Sequence, residues 1–150
     1  MPAINLKSLV GRLGDHCRNS IESAVGLCVA RTHYNVEIEH WLLKLLETAG
    51  NDVDHVCAHF GVDVPRLQRE LTGALDRFDE GSSRGAPALA PSLVELARES
   101  WMLASLEFGA TRVRSGHVLL TLIGSDSMLN QIVTSSREFE KISRQELTQV

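Results

Sequence analysis

Residues 36–45, Val-Glu-Ile-Glu-His-Trp-Leu-Leu-Lys-Leu, return 77 positions later as Val-Arg-Ser-Gly-His-Val-Leu-Leu-Thr-Leu at 113–122. Five of the ten positions are identical without a gap: Val36/Val113, His40/His117, Leu42/Leu119, Leu43/Leu120 and Leu45/Leu122. Leu46 falls on Ile123, and upstream Glu22-Ser23 falls on Glu99-Ser100 at the same offset. Leucine abundance alone does not produce such a match, so we read an internal duplication. In the first copy Ile38, Trp41, Leu42, Leu45 and Leu46 fall at i, i+3, i+4, i+7 and i+8, one buried helix face. Glu37 and Glu39 sit at its start, beside the positive end of the helix dipole. Leu43 widens the stripe, so this helix is expected to pack against several neighbours. The chain is therefore constrained to two stacked, pseudo-equivalent helical halves.

At 150 residues the chain is most simply one domain, 1–150, with room for a proper core. Its apolar content is 43% but only 5% is aromatic, which makes that core aliphatic. A formal charge of −4 gives no electrostatic reason to bind nucleic acid or an anionic membrane. No long apolar run opens the chain, so neither a secretory signal nor a membrane span is expected. Cys17, Cys28 and Cys57 are odd in number and scattered. On one helix Cys17 and Cys28 would lie roughly 16 Å apart, beyond disulfide reach, which favours free thiols in a reducing cytoplasm.

Taken in order, 4–13 predicts a short opening helix capped by Asn5, with Leu6, Leu9, Val10 and Leu13 on one stripe. Asp15 is available to cap a second helix over 16–32. Its stretch 24–30 is apolar all round apart from Gly26, so enclosure by other helices is expected. The organising helix 36–47 ends at Gly50. A short helix from Asp52 to Phe60 is stopped by Gly61. Asp63 then caps a helix with Pro65 in its first turn. Residues 79–91 are rich in Gly, Ser and Pro and read as the loop between repeats, which cover about 15–78 and 92–150. The second long helix carries Leu93, Leu96, Ala97, Trp101, Ala104 and Phe108 inward and ends at Gly109. Ser115 or Gly116 opens the second His helix, residues 128–133 form a brief one, and Ser135 with Glu138 has capping-box spacing for the last, which carries Phe139, Ile142 and Leu147. No sustained period-two alternation appears, so little or no strand is expected among about nine helices.

Few residues point to chemistry. His40 and His117 occupy equivalent places in a duplicated unit, where bonding the preceding loop is the simpler role. His55 and His59 have a spacing that can hold zinc, but their run His-Val-Cys-Ala-His lacks the glutamate of a metalloprotease helix. Cys28 and Cys57 lie among apolar residues as small core filler. No Gly-x-x-x-x-Gly-Lys-Ser/Thr string occurs, so the chain is not expected to hydrolyse nucleotide by that route. Arg137, Lys141 and Arg144, interleaved with glutamates, read as a solvated face. The opening helix is surplus to the duplication, having no counterpart in the second copy. Its stripe is expected to pack on the first repeat and to leave a groove, with Leu6, Leu9, Val10 and Leu13 facing Cys17, Ile21 and Val25. Amphipathic partner helices dock in such grooves.

An Ala-rich long helix leading twice into a Val-x-x-Glu-His-Leu-Leu-type helix resembles the N-terminal domain of the Clp family of AAA+ unfoldases, over essentially the whole chain. Glu39-His40-Trp41-Leu42-Leu43 and Gly116-His117-Val118-Leu119-Leu120 carry the two copies, and Gly116 departs from the usual glutamate. Arg31-Thr32-His33-Tyr34-Asn35-Val36-Glu37, Leu106-Glu107-Phe108-Gly109 and the extra opening helix are similar to the ClpV branch, the type VI secretion ATPases. The resemblance implies an all-α, pseudo-duplicated bundle of two four-helix repeats plus the opening helix. It implies a cytoplasmic binding module, not an enzyme, which captures an N-terminal helix of the large sheath subunit for disassembly. Hexamer contacts, ATP and Mg would belong to a full-length homohexameric parent, the domain itself being a monomer without cofactor. An accessory adaptor in place of sheath is the alternative within the class. A small metal-dependent enzyme using His55, His59 and Cys57 is the alternative outside it.

Overall fold

The repeat appears in the backbone as a long helix, a tight turn and a shorter helix, twice over. The computed structural model describes residues 6–47, 51–78, 80–81 and 87–147, apart from the side chains of Leu6, Lys7 and Arg144. After the opening helix α1 (Leu6–Gly11), the first half comprises α2 (Asp15–Ala30), β1 (Asn35–Val36), α3 (Ile38–Glu47), α4 (Asp52–Phe60) and α5 (Val64–Leu75). The second comprises β2 (Ala88–Leu89), α6 (Pro91–Phe108), α7 (Ser115–Gly124), α8 (Asp126–Val133), a 3-10 turn (Arg137–Lys141) and α9 (Arg144–Leu147). α2 packs on α3 and α6 on α7; α5 covers α3, while α4 and α9 both reach α7. Trp41, Leu45, Leu71, Leu96, Leu119 and Leu122 meet in one continuous core.

The caps explain where several helices start and stop. Asn51 accepts the Asp54 N–H at 3.1 Å, Asp63 accepts the Arg66 N–H at 3.1 Å, and Gly61 ends α4. Gly109 ends α6 at φ 60°, and 77 positions earlier Thr32 holds nearly the same angle, φ 55°, despite its branched side chain. The Thr32 hydroxyl accepts the Gly81 N–H at 3.0 Å, so a strained residue there ties down the segment after α5.

The halves exchange backbone pairs. β1 runs parallel to β2, with Asn35 opposite Ala88 and Val36 opposite Leu89. Leu13 bridges Val113 in the same sense. Each half thus pairs the residue ahead of its His helix with the residue ahead of the other half's long helix. Strands of two residues are too short to show period-two alternation, which is why the sequence gives no sign of them.

Other departures have local causes. α3 begins at Ile38, not Val36, because Val36 is committed to β1. Gly14, not Asp15, occupies the cap position of α2, while Asp15 pairs with Arg18 at 3.0 Å. α2 is not enclosed: Cys17, Ile21, Ala24 and Cys28 face inward, but Gly26 and Ala30 are exposed and Val29 is 49% exposed. An apolar face need not be a covered one. Phe108, expected inside, lies outside on the last turn of α6. The final helix is split into the 3-10 turn and α9; Ser136 caps the turn, and Ser135 instead donates to Glu39 at 2.8 Å. Asn5, Gly50 and positions 79 and 82–86 of the inter-repeat loop lie outside the described residues.

Candidate functional site

Both repeat histidines bond the turn before their own helix. The Glu37 N–H donates to His40 Nδ1 at 2.8 Å, and the Arg114 N–H donates to His117 Nδ1 at 2.9 Å. With Nδ1 accepting, His40 carries its proton on Nε2 and donates it to Nδ1 of His33, 2.9 Å away. Burial, then the His33 ring, push His40 down to about 4; burial also lowers His33 and His117. Neutral imidazoles held this way position backbone and are poor general bases. Leu42, Leu43 and Leu119 beside them are core, whereas Leu120 is half-buried.

The surplus helix, expected to pack on the first half, is also fastened to the second. α1 packs on α6, with the Arg12 guanidinium 5.0 Å from the centre of the Trp101 ring. The Val113 N–H donates to the Arg12 carbonyl and the Gly14 N–H to the Val113 carbonyl, both at 2.8 Å. Arg112 donates to the carbonyls of Gly11 and Leu13 at 3.4 Å each. A Cβ on Gly14 would stand 2.9 Å from the Val113 oxygen, so only glycine permits this approach. The α1–α2 corner is therefore a fixed feature beside the second His helix. Nothing local in the sequence marks Trp101, Arg112 and Val113 as site residues, because pairing across about 100 positions leaves no local pattern.

Of the seven groove residues expected from sequence, Leu9, Leu13, Cys17 and Ile21 are buried in the common core. Val10 and Val25 are half-buried at its edge, and the Leu6 side chain lies outside the described residues. Of the predicted groove residues with described side chains, Val10 and Val25 are the ones that keep accessible surface. Cys17 is pushed up to about 12 by burial and then by the Asp52 charge, and Cys57 to about 11, chiefly by burial; Cys28 is raised too. Such thiols stay protonated and unreactive at neutral pH. His55 and His59 are exposed on α4 while Cys57 points inward, so the three do not converge. Among the described residues no three His, Cys, Asp or Glu side chains gather as metal ligands.

Polar ties across the two halves hold the frame. Ser136 donates to Glu70 at 3.1 Å, and Glu138 accepts the Asp63 N–H at 2.8 Å and pairs with Lys141 at 2.7 Å. Asp52 accepts from Arg114 at 2.7 Å and from the Gly116 N–H at 3.3 Å. No helix among the described residues is long and apolar enough to cross a membrane.

Two helical repeats joined at a seam, with an added terminal helix and buried thiols, make a pseudo-duplicated all-α domain. Residues 12–136 match the Clp repeat (R) N-terminal domain family. The chain is 36% identical over 147 residues to the chaperone protein ClpB of Yersinia enterocolitica. It is 30% identical over 149 residues to the AAA+ ATPase ClpV1 of Pseudomonas aeruginosa. These alignments take in 97% and 99% of this chain but 16% of each relative, so the chain spans about a sixth of their length. Among solved structures, one from work on the coevolution of the ATPase ClpV, the TssB-TssC sheath and the accessory HsiE protein superposes with TM-score 0.93 at 30% identity, covering 99% of this chain and 91% of that one. The N-domain of ClpV from Vibrio cholerae gives 0.82 at 29%, covering 99% and 89%. A complex of a ClpV N-domain with VipB peptide gives 0.81 at 29%, covering 98% and 89%. The chain belongs to the Clp N-terminal domain family.

Proposed function

We propose that this chain is the recognition domain of a type VI secretion ATPase of the ClpV kind. It docks an N-terminal helix of the large sheath subunit along the edge of α1, and contracted sheath passes from there to the ATPase rings. The observation that carries the reading is the clamped opening helix, in a chain that aligns nearly end to end with a ClpV N-domain complexed with VipB peptide. We assign the anchoring contacts to Leu6 and Val10, with Val25 from α2. An incoming helix places apolar residues one turn apart against them. Each anchor contributes about 1.5–3 kcal/mol before ordering costs, enough for micromolar binding from two or three. Docking takes no cofactor. ATP, Mg and hexamer contacts belong to the ring modules of the proposed parent, and this domain acts as a cytoplasmic monomer.

The test is titration of a sheath-derived helical peptide into the wild-type chain and into Leu6→Asp and Val10→Asp, each checked for fold by circular dichroism. Leu9 and Leu13 are buried and unsuited to an aspartate probe. At least about a tenfold loss is expected for Val10→Asp and Leu6→Asp. Wild-type affinity in both folded variants sinks the proposal. The accessory HsiE protein named with the first structural neighbour supports a second reading, in which an adaptor docks here. On that reading the peptide binds only when the adaptor is added.

A further inference from the structure

The outer side of the second half carries a cleft that no contact described above fills. Five large apolar side chains are exposed among the described residues, and three lie on the last two turns of α6: Met102 (41%), Leu106 (75%) and Phe108 (48%). With Leu120 and Met128 they line a cleft of about 670 Å³ between α6 and the ends of α7 and α8. Glu95, Glu99, Met102 and Leu106 follow at i, i+4, i+7 and i+11, one stripe whose span to Phe108 is roughly 20 Å. An apolar patch rimmed by polar groups in this way marks a docking surface.

The rim states which partner it suits. Every charged residue lining the cleft is a carboxylate: Glu95, Glu99 and Glu107. Arg98, outside the lining, pairs with Glu95 and with Glu99, the latter at 2.9 Å, and leaves the group net negative. At this end α7 closes at Gly124 and α8 opens at Asp126, so their opposed dipole ends offset and the carboxylates set the sign. A second copy of the chain would bring identical carboxylates against these, which disfavours a symmetric contact. The walls are helices whose backbone groups are paired internally, so they offer no edge for an extended strand. We propose that this cleft docks a cationic amphipathic helix of a partner protein, at a place separate from the α1 edge. Apolar side chains at i, i+4 and i+7 lie on Met102, Leu106 and Phe108, and flanking Lys or Arg meet Glu99 and Glu107.

The probe is a synthetic helical peptide of about three turns, with leucines at i, i+4 and i+7 and lysines beside them. Titrated into the 15N-labelled chain, it should shift amides within 95–108 and 120–128, and its binding should weaken as salt rises. Leu106→Ser and Met102→Ser, both at exposed positions, should each bind at least about tenfold more weakly while keeping the wild-type spectrum elsewhere. The same peptide with glutamates for lysines should lose a similar factor, and Val10→Asp should change nothing. Equal binding of the two peptides, shifts confined to other surfaces, or no saturable binding below about 1 mM overturns the proposal. So does self-association of the free chain that Leu106→Ser abolishes, since the cleft is then a contact between copies.

Discussion

His40 and His117 do the same work at different depths. Each accepts an N–H from the turn ahead of its helix, but His40 is fully buried and bonded to His33, while His117 is half-buried beside Phe108. The depth has a consequence for stability. In the unfolded chain His40 takes up a proton near pH 6.5, whereas in the fold it resists until about 4. The unfolded state therefore binds the extra proton first as pH falls. Stability from this residue is complete above about pH 7, declines below 6.5 and is gone below 4, a change of up to about 3 kcal/mol. His33 and His117, also lowered, act in the same direction; Glu37, raised by burial and then by Glu39, offsets part of the loss in acid. Urea unfolding measured from about pH 7 to 4.5 should show the decline, and His40→Gln should remove most of it. An unchanged slope in His40→Gln would place the titrating group elsewhere. The shared role of the two histidines was legible from their 77-residue spacing. The His33 partner was not, because a turn residue has no period. Gly116 shows a further limit: a glutamate there, as at Glu39, would press on the Asp52 carboxylate, whose atoms stand 3.1–3.4 Å from the Cβ position.

At the scale of elements, the 3.6-residue period located the helices but not which sides of them are covered. α2 shows an apolar sequence on an open face, and α6 turns Phe108 outward and leaves Trp101 half-buried, although Leu93, Leu96, Ala97 and Ala104 face inward as expected. Coverage depends on neighbours distant in sequence, which propensity does not see. Leu43 and Leu120 make the point measurable, since the repeat treats them as equals. Leu43 is buried, whereas Leu120 borders two clefts. Leu43→Ala should cost about 2–5 kcal/mol and Leu120→Ala about 1 kcal/mol in denaturant unfolding. Equal costs would mean that Leu120 is as enclosed as its counterpart.

For the whole molecule, the reciprocal pairs, Val36 with Leu89 and Leu13 with Val113, make two halves into one body with the added helix fastened at the seam. That helix was legible as surplus; its attachment to α6 through Arg12 and Trp101 was not, because it rests on long-range contacts. The consequence is a domain with an exposed apolar stripe on the outer side of α6 and, at the seam, the α1 edge to which we assign sheath docking. The most direct measurement is therefore amide-shift mapping of the 15N-labelled chain during titration with a sheath-derived helical peptide. The largest shifts should fall on α1 and the α1–α2 corner, residues 8–14, with Val113 and Trp101 following. Shifts confined to 95–108 and 120–128, with 8–14 unmoved, would contradict sheath docking at α1 and assign the sheath helix to the other edge.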